Sequence, residues 1–393
     1  MSFFERSNDA YMHAYGRYDI TFTHGQGVFL YDECNQQYLD FYSGIGVNAL
    51  GYNHPKYVQA MQEQIAKLMH VSNYFNTPSG VEGAEALKKA TQLDLVFLCN
   101  SGTEATEGAL KLARKYYYQK NQIANSEIIA LHHSFHGRST GSVRLTGNEN
   151  YQKAFGPLIE GVKHALINDL ESVKNLITKQ TGAIIVEPVQ GEGGLTACSK
   201  DFLQGLRQIC DELDIVLIFD EVQCGCGRTG EMMTYMHYDV KPDIVCLAKG
   251  IGAGFPVGAF VANKKVGSAL KPGDHGSTYG GNPLAGKAVT TVMEIIEEEK
   301  IIENVKVVGA YLTTKLDELV QKYDLVLERK GLGLMQGLVI DGLASDYVKK
   351  AQEKGVLFVS AGANVLRFLP PLIITKENVD QFINVLEQLF NQK

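Results

Sequence analysis

The chain of 393 residues is 45% hydrophobic and 21% charged, the balance of a folded protein with room for two or three domains, which excludes disorder as its main state. Its 44 acidic against 37 basic side chains leave a formal charge of -7 and no run of Lys and Arg, so neither nucleic acid nor an anionic membrane surface is an expected partner. The uncharged stretch 250–263 carries four glycines and a proline and falls short of the roughly 18 apolar residues of a spanning helix. Glu5, Arg6 and Asp9 leave no apolar signal segment at the start, so a cytoplasmic location is expected, which seven scattered cysteines fit.

In chain order, residues 21–41 read as antiparallel strands that turn at 25–27 and 32–36. Residues 95–99 read as a buried strand, followed by a helix over about 103–118 with Ala105, Ala109, Leu112, Ala113 and Tyr116 on one face. Further strands are expected at 127–131, 183–186, 215–219, 243–247 and 257–261, with helices near 169–179 and 202–213. Strands alternating with helices imply an α/β unit whose mostly parallel sheet is covered on both faces. After Gly286 come two long helices up to about Tyr323. Strands near 325–327, 334–340, 356–359 and 365–368 and a last helix from Glu377 complete an α+β unit. These changes of pattern divide the chain at about residues 70 and 285, giving segments 1–70, 71–285 and 286–393.

Ligands of open α/β sheets lie beyond the carboxyl ends of the strands, so the residues that follow each strand carry the chemistry. The strand over 215–219 runs into Asp220, Glu221, Val222 and Gln223, and the next one into Ala248, Lys249 and Gly250. An acid alone there could simply open a turn, and a lone lysine could be solvated. Together, a rim lysine beside an acid and a bed of glycines is a candidate Schiff-base nucleophile. Ser101 and Glu104 form an S-x-x-E capping box that needs no function, yet Gly102 and Thr103 offer unpaired N–H groups at a helix start, where phosphate binds. A phosphate anchor, an acid and a lysine are the three attachments of pyridoxal phosphate. Of nine arginines, Arg138 and Arg367 stand in charge-poor segments and are the places to expect bidentate capture of a carboxylate. Glu187 and Glu192 close another strand and either could partner Arg367.

Three signals weigh less. Gly225 to Gly230 spells G-x-G-x-x-G but starts six residues past a strand and lacks a following helix, which leaves a dinucleotide-binding oxidoreductase as a poor alternative. Cys224, Cys226 and His237 lack paired metal-ligand spacing, and His132, His133 and His136 have no acids or thiols converging on them, so no metal site is expected.

Along nearly its whole length the sequence resembles the class III (subgroup II) pyridoxal-phosphate aminotransferases. The resemblance rests on Tyr15-Gly16-Arg17, the run Gly44 to Gly51, Ser101-Gly102-Thr103-Glu104-Ala105, Phe135-His136-Gly137-Arg138 and the run Glu187 to Gly194. It continues through Asp220-Glu221-Val222-Gln223, Ala248-Lys249-Gly250, the run Ser277 to Pro283 and Arg367-Phe368-Leu369-Pro370-Pro371. It implies fold type I of the pyridoxal-phosphate transferases: a large domain with a mostly parallel seven-stranded sheet, and a smaller α+β domain made by the two chain ends. It also implies a homodimer with its active sites shared between subunits.

By the same resemblance Lys249 would bond the cofactor aldehyde and Asp220 would pair with the ring nitrogen. Ser101, Gly102 and Thr103 would bind the phosphate, with Thr278 supplied by the partner subunit. Phe135 and Val222 would sandwich the ring and Gln223 would approach its oxygen. Arg138 would hold a substrate carboxylate, Arg367 the α-carboxylate of glutamate, Glu192 would cover Arg367, and Tyr15, Glu187 and Ser277 would line the substrate side. Ser139 stands where Thr is usual, a departure that could tune substrate choice. Within the family, Tyr15-Gly16-Arg17 leans towards acylornithine donors: N-acetylornithine, 2-oxoglutarate and glutamate would be the substrates, in arginine biosynthesis. Succinylornithine, ornithine and 4-aminobutyrate remain alternative donors.

Overall fold

Seven short strands rich in Val, Ile, Leu and Phe form the central sheet of the protein, seen in a computed structural model that describes residues 1–391. Across the sheet the order is Leu95–Cys99, Gly258–Ala262, Ile244–Leu247, Val216–Asp220, Thr181–Val186, Glu127–Leu131 and Val162–Ala165. Six strands are parallel, and Gly258–Ala262 runs antiparallel to both its neighbours. The four central strands are buried along their whole length, which is why they read as continuous apolar runs. Helix Gly102–Asn121 buries Ala105, Ala109, Leu112 and Ala113, with Tyr117 rather than Tyr116 as its buried tyrosine.

This topology brings the chemistry together. Ser101, Phe135, Glu187, Asp220 and Lys249 each lie at or just beyond the carboxyl end of a parallel strand, so they share one rim. Because Gly258–Ala262 runs the other way, it is the loop before it, Gly254 to Val257, that reaches the same rim.

The chain ends meet. Strands Phe22–Gln26, Phe29–Asp32 and Gln37–Asp40 are completed by Val356–Leu357, which pairs parallel with Leu39 and Asp40. A second sheet joins Val326–Leu332, Met335–Ile340, Val365–Phe368 and Val359–Ser360. The strand expected over 356–359 is therefore split at Phe358, its halves serving two sheets. Phe41 stacks on Phe382 at 3.8 Å, and Phe368 meets Phe382 edge-on at 4.8 Å, so one aromatic cluster holds both ends.

Several helices were not anticipated, among them Phe3–Ala10, Pro55–Lys67, Pro78–Thr91, Thr140–Leu145 and Ala344–Glu353. The first two bury no residue fully, although Pro55–Lys67 carries Tyr57, Val58, Met61 and Ile65 at helical spacing. Strand Val162–Ala165 was also missed, because Lys163 and His164 interrupt it at the sheet edge, where Lys163 pairs with Glu127 at 2.7 Å. The helix near 169–179 shortens to Leu170–Lys174. Helix Pro283–Glu298 crosses Pro78–Thr91 so closely that a side-chain carbon at Gly286 would sit 2.2 Å from the Ser79 carbonyl oxygen. Among the described residues no helix is long and apolar enough to cross a membrane.

Candidate active site

A cavity of about 310 Å³ opens at the rim of the sheet, lined among others by Ser101, Gly102, Thr103, Phe135, Asp220 and Lys249. Its floor is the start of helix Gly102–Asn121, where the Ser101 hydroxyl accepts the Glu104 N–H and so caps the helix. Gly102 is required there. A side-chain carbon on it would lie 2.8 and 3.1 Å from the two methyls of Val222, which forms the facing wall. The helix N-terminus and Val222 can close on a ligand only because that carbon is missing.

Asp220 ends its strand almost wholly buried, and both its oxygens are engaged: one accepts the Val222 N–H at 3.0 Å, the other lies 2.8 Å from His136 Nδ1. His136 was considered in the sequence only as part of a histidine group, and its contact with Asp220 spans 84 residues. Burial alone would lower the His136 pKa, but the hydrogen bond and charge of Asp220, with Glu187 behind, outweigh it and the pKa is raised. His136 Nε2 is buried without a hydrogen-bond partner. His132 and His133 are exposed and take no part; among the described residues no cluster is placed to hold a metal.

Lys249 opens a short 3-10 turn with φ of +48°, a left-handed conformation that costs a non-glycine residue about 1–2 kcal/mol. Its pKa is lowered, first by burial; Arg367 adds to the fall while Glu192, Asp220 and Glu187 oppose it. A shift in that direction favours the free amine that a Schiff-base lysine needs. Cys226 packs behind Gly250, and its burial pushes the thiol up to about 12, so it is inert. The loop Gly225 to Gly230 is itself buried around Arg228, which donates to the Leu334 and Pro370 carbonyls, and no helix opens there.

On the other side stands Arg367, carried in by strand Val365–Phe368 of the second sheet. Its Nη1 lies 2.6 Å from Glu192 Oε1 and donates to Gln223 Oε1 at 3.3 Å; its Nη2 donates to the Ser360 carbonyl at 3.4 Å, and Nε is buried without a partner. The Glu192 end is the softer one, with its side chain 31% exposed against 3% for Arg367. Glu187 is buried, accepts the N–H groups of Phe135 and Gly191, and is pushed up by burial.

Six of the expected residues lie outside the lining of this cavity, the Arg367–Glu192 pair and four others. Arg138 is exposed beside it, over the rings of Phe135 and Tyr151, and Tyr151 carried no signal of its own in the sequence. Ser277 stands one residue back, accepting a hydrogen bond from Asn100, which lines the cavity. Thr278 and Tyr15 are exposed and away from it. Val47, Pro256 and Val257 line it without having been expected to.

The donor set fits pyridoxal phosphate: a glycine-opened helix N-terminus for a dianion, a buried acid braced by a histidine for a ring nitrogen, and a lysine of lowered pKa for an aldehyde. The sequence model of the aminotransferases of class III matches residues 10–390. The acetylornithine aminotransferase of Aquifex aeolicus is 48% identical over 96% of this chain and 99% of its own, and that of Clostridium acetobutylicum 46% over 96% and 98%. The ornithine aminotransferase of Toxoplasma gondii, solved with pyridoxal phosphate at partial occupancy, superposes with a TM-score of 0.94 at 29% identity, covering 99% of this chain and 93% of that one. The glycine-opened floor, the paired acid and the poised lysine thus sit in a chain that belongs to the class III aminotransferases, enzymes that work with pyridoxal phosphate.

Proposed function

We propose that this chain moves the terminal amino group of N-acetylornithine to 2-oxoglutarate, giving N-acetylglutamate semialdehyde and glutamate, a step of arginine biosynthesis. The names of the relatives at 46–48% identity support the donor. The observation that carries the reading is the Arg367–Glu192 pair at 2.6 Å beside Lys249. A bare Arg367 would repel an ammonium group and favour glutamate in both half reactions. Covered by Glu192 it is neutral towards the amine donor, and uncovered it grips a dicarboxylate, exchanging one carboxylate partner for another at little electrostatic cost.

Pyridoxal phosphate, when bound, supplies an aldehyde for the amine and an electron sink for the carbanion left by the departing proton. We assign the surrounding roles to this chain as follows. Ser101, Gly102 and Thr103 bind the phosphate, Phe135 and Val222 flank the ring, and Gln223 approaches its oxygen. Asp220 holds negative charge at the ring nitrogen, and His136 keeps that carboxylate in place. Lys249 would hold the cofactor at rest and, once freed by the incoming amine, would be the base that takes the proton from the substrate carbon bearing the amine. Glu187 fixes the Phe135 loop through its backbone contact. Arg138 takes the substrate's remote carboxylate, with Tyr15 and Ser277 at the substrate's side.

The unit works as a homodimer in this reading, with Thr278 offered to the partner's phosphate site; its exposure outside its own chain's cavity is compatible with that role. Residues 71–285 form the cofactor domain, and 1–70 with 286–393 the small domain that brings Arg367. Steady-state rates with N-acetylornithine, N-succinylornithine, ornithine and 4-aminobutyrate against 2-oxoglutarate test the reading; a higher kcat/KM for any of the other three would replace the donor.

A further inference from the structure

The guanidinium carbon of Arg138 lies 3.7 Å from the centre of the Tyr151 ring and 5.3 Å from that of Phe135. The two rings stand edge to face, 87° apart, with centroids separated by 6.3 Å. An aromatic face attracts a guanidinium through its ring quadrupole and leaves the in-plane N–H donors free for a carboxylate. An ion pair would hold the same arginine by consuming those donors. Phe135 belongs to the cavity wall, so the pair of rings sets Arg138 at its edge.

Tyr151 is itself braced. It ends the 3-10 turn Glu149–Tyr151, which Asn148 caps by accepting the Asn150 N–H at 3.0 Å. The next residue, Gln152, donates to the Thr146 carbonyl at 2.7 Å and accepts from Arg144 Nη1 at 2.9 Å. Both partners border or belong to helix Thr140–Leu145, which starts two residues after Arg138. The platform and the arginine it carries are thus fixed to the same short helix.

We propose that Tyr151 is a positioning and specificity-determining residue: it holds the Arg138 fork flat and extended for bidentate capture of the substrate carboxylate remote from the reacting amine. It touches no substrate and acts through Arg138, so the inference rests on reading Arg138 as a carboxylate anchor. Its benefit is preorganisation, since a flexible arginine would have to be ordered at each binding event.

The test uses the holoenzyme and glutarate, a dicarboxylate without amine or keto group, whose affinity is measured by titration calorimetry. Tyr151→Leu should weaken glutarate roughly three- to fivefold, the size of one solvent-exposed cation–π contact. Tyr151→Phe, which keeps the ring, should bind like the parent. Added to Arg138→Ala, Tyr151→Leu should cost nothing further, because its effect passes through the missing arginine. With N-acetylornithine the loss should fall on KM and spare kcat. Unchanged glutarate affinity in the Leu variant, an additive loss in the double variant, or a parent that binds no glutarate would each overturn the proposal. Should the parent fail to use N-acetylornithine, the donor reading falls while the glutarate cycle still decides the role of Tyr151.

Discussion

Arg367 is held by Glu192, Gln223 and the Ser360 carbonyl, and only the first of these carries a charge to balance its own. Glu192→Ala should therefore slow the half reaction with N-acetylornithine more than that with glutamate, and raise the apparent affinity for glutamate. Single-turnover rates decide this, with unfolding measured alongside, because an unpaired buried charge costs about 3–5 kcal/mol. Equal slowing of both half reactions in a folded variant would make Glu192 a structural acid. His136 gives a second outcome at this scale. Its folded pKa is raised above the ordinary value, so the stability it contributes is complete below the unfolded pKa and fades as pH rises through the folded one. The stability gap between parent and His136→Gln, from urea unfolding of the apoprotein, should narrow as pH rises above about 6.5, the ordinary histidine value; a constant gap would mean that the imidazole is never charged. Lys249, Asp220 and Arg367 were legible because each sits in a local pattern, a strand end or a charge-poor strand. His136 and Tyr151 were not, because what makes them matter is a neighbour brought up by the fold: Asp220 from 84 residues away, and Arg138 across a loop and a short helix.

Helix Gly102–Asn121 shows what an element must give up to serve a site. Alanine at Gly102 would gain up to about 1 kcal/mol of helix propensity but would overpack Val222, at a typical cost of about 1–3 kcal/mol. Gly102→Ala should accordingly lower stability slightly and weaken retention of pyridoxal phosphate, read as the dissociation constant of the cofactor from the apoprotein; unchanged retention would mean the helix start lies clear of the phosphate. Most strands and long helices followed from the period of their apolar residues, to within a few positions. The failures differ in cause. Val162–Ala165 lies at a sheet edge where a lysine and a histidine break its apolar run, whereas the five residues that Pro78–Thr91 buries are mostly small or polar, and Pro55–Lys67 keeps its apolar residues at most part-buried.

At the scale of the molecule, the expected exchange of Thr278 between subunits has a quantitative consequence. Mixed dimers of Lys249→Ala and Thr278→Ala chains would hold one site with both residues intact and one with neither. After unfolding and remixing at equal amounts, half the dimers are mixed, so about a quarter of the parent's sites should be restored. Activity that stays at the mean of the two separate variants would show that each site draws Thr278 from its own chain, or has no need of it. The resemblance implied that the two chain ends share a domain, but which strands join them was beyond the sequence, since pairing between Leu39 and Val356 leaves no local trace.

That pairing also sets a timetable for synthesis. Strand Gln37–Asp40 leaves the ribosome early, yet its partner Val356–Leu357 lies more than three hundred residues later. At about 5–20 residues per second, roughly a quarter of a minute to a minute passes before that edge can be covered. The central sheet, whose strands all lie between Leu95 and Ala262, can assemble in the meantime, while the first forty residues wait with an open strand edge. A nascent chain stalled short of Val356 should thus be the species that holdase chaperones bind, through its first strands rather than through its catalytic core.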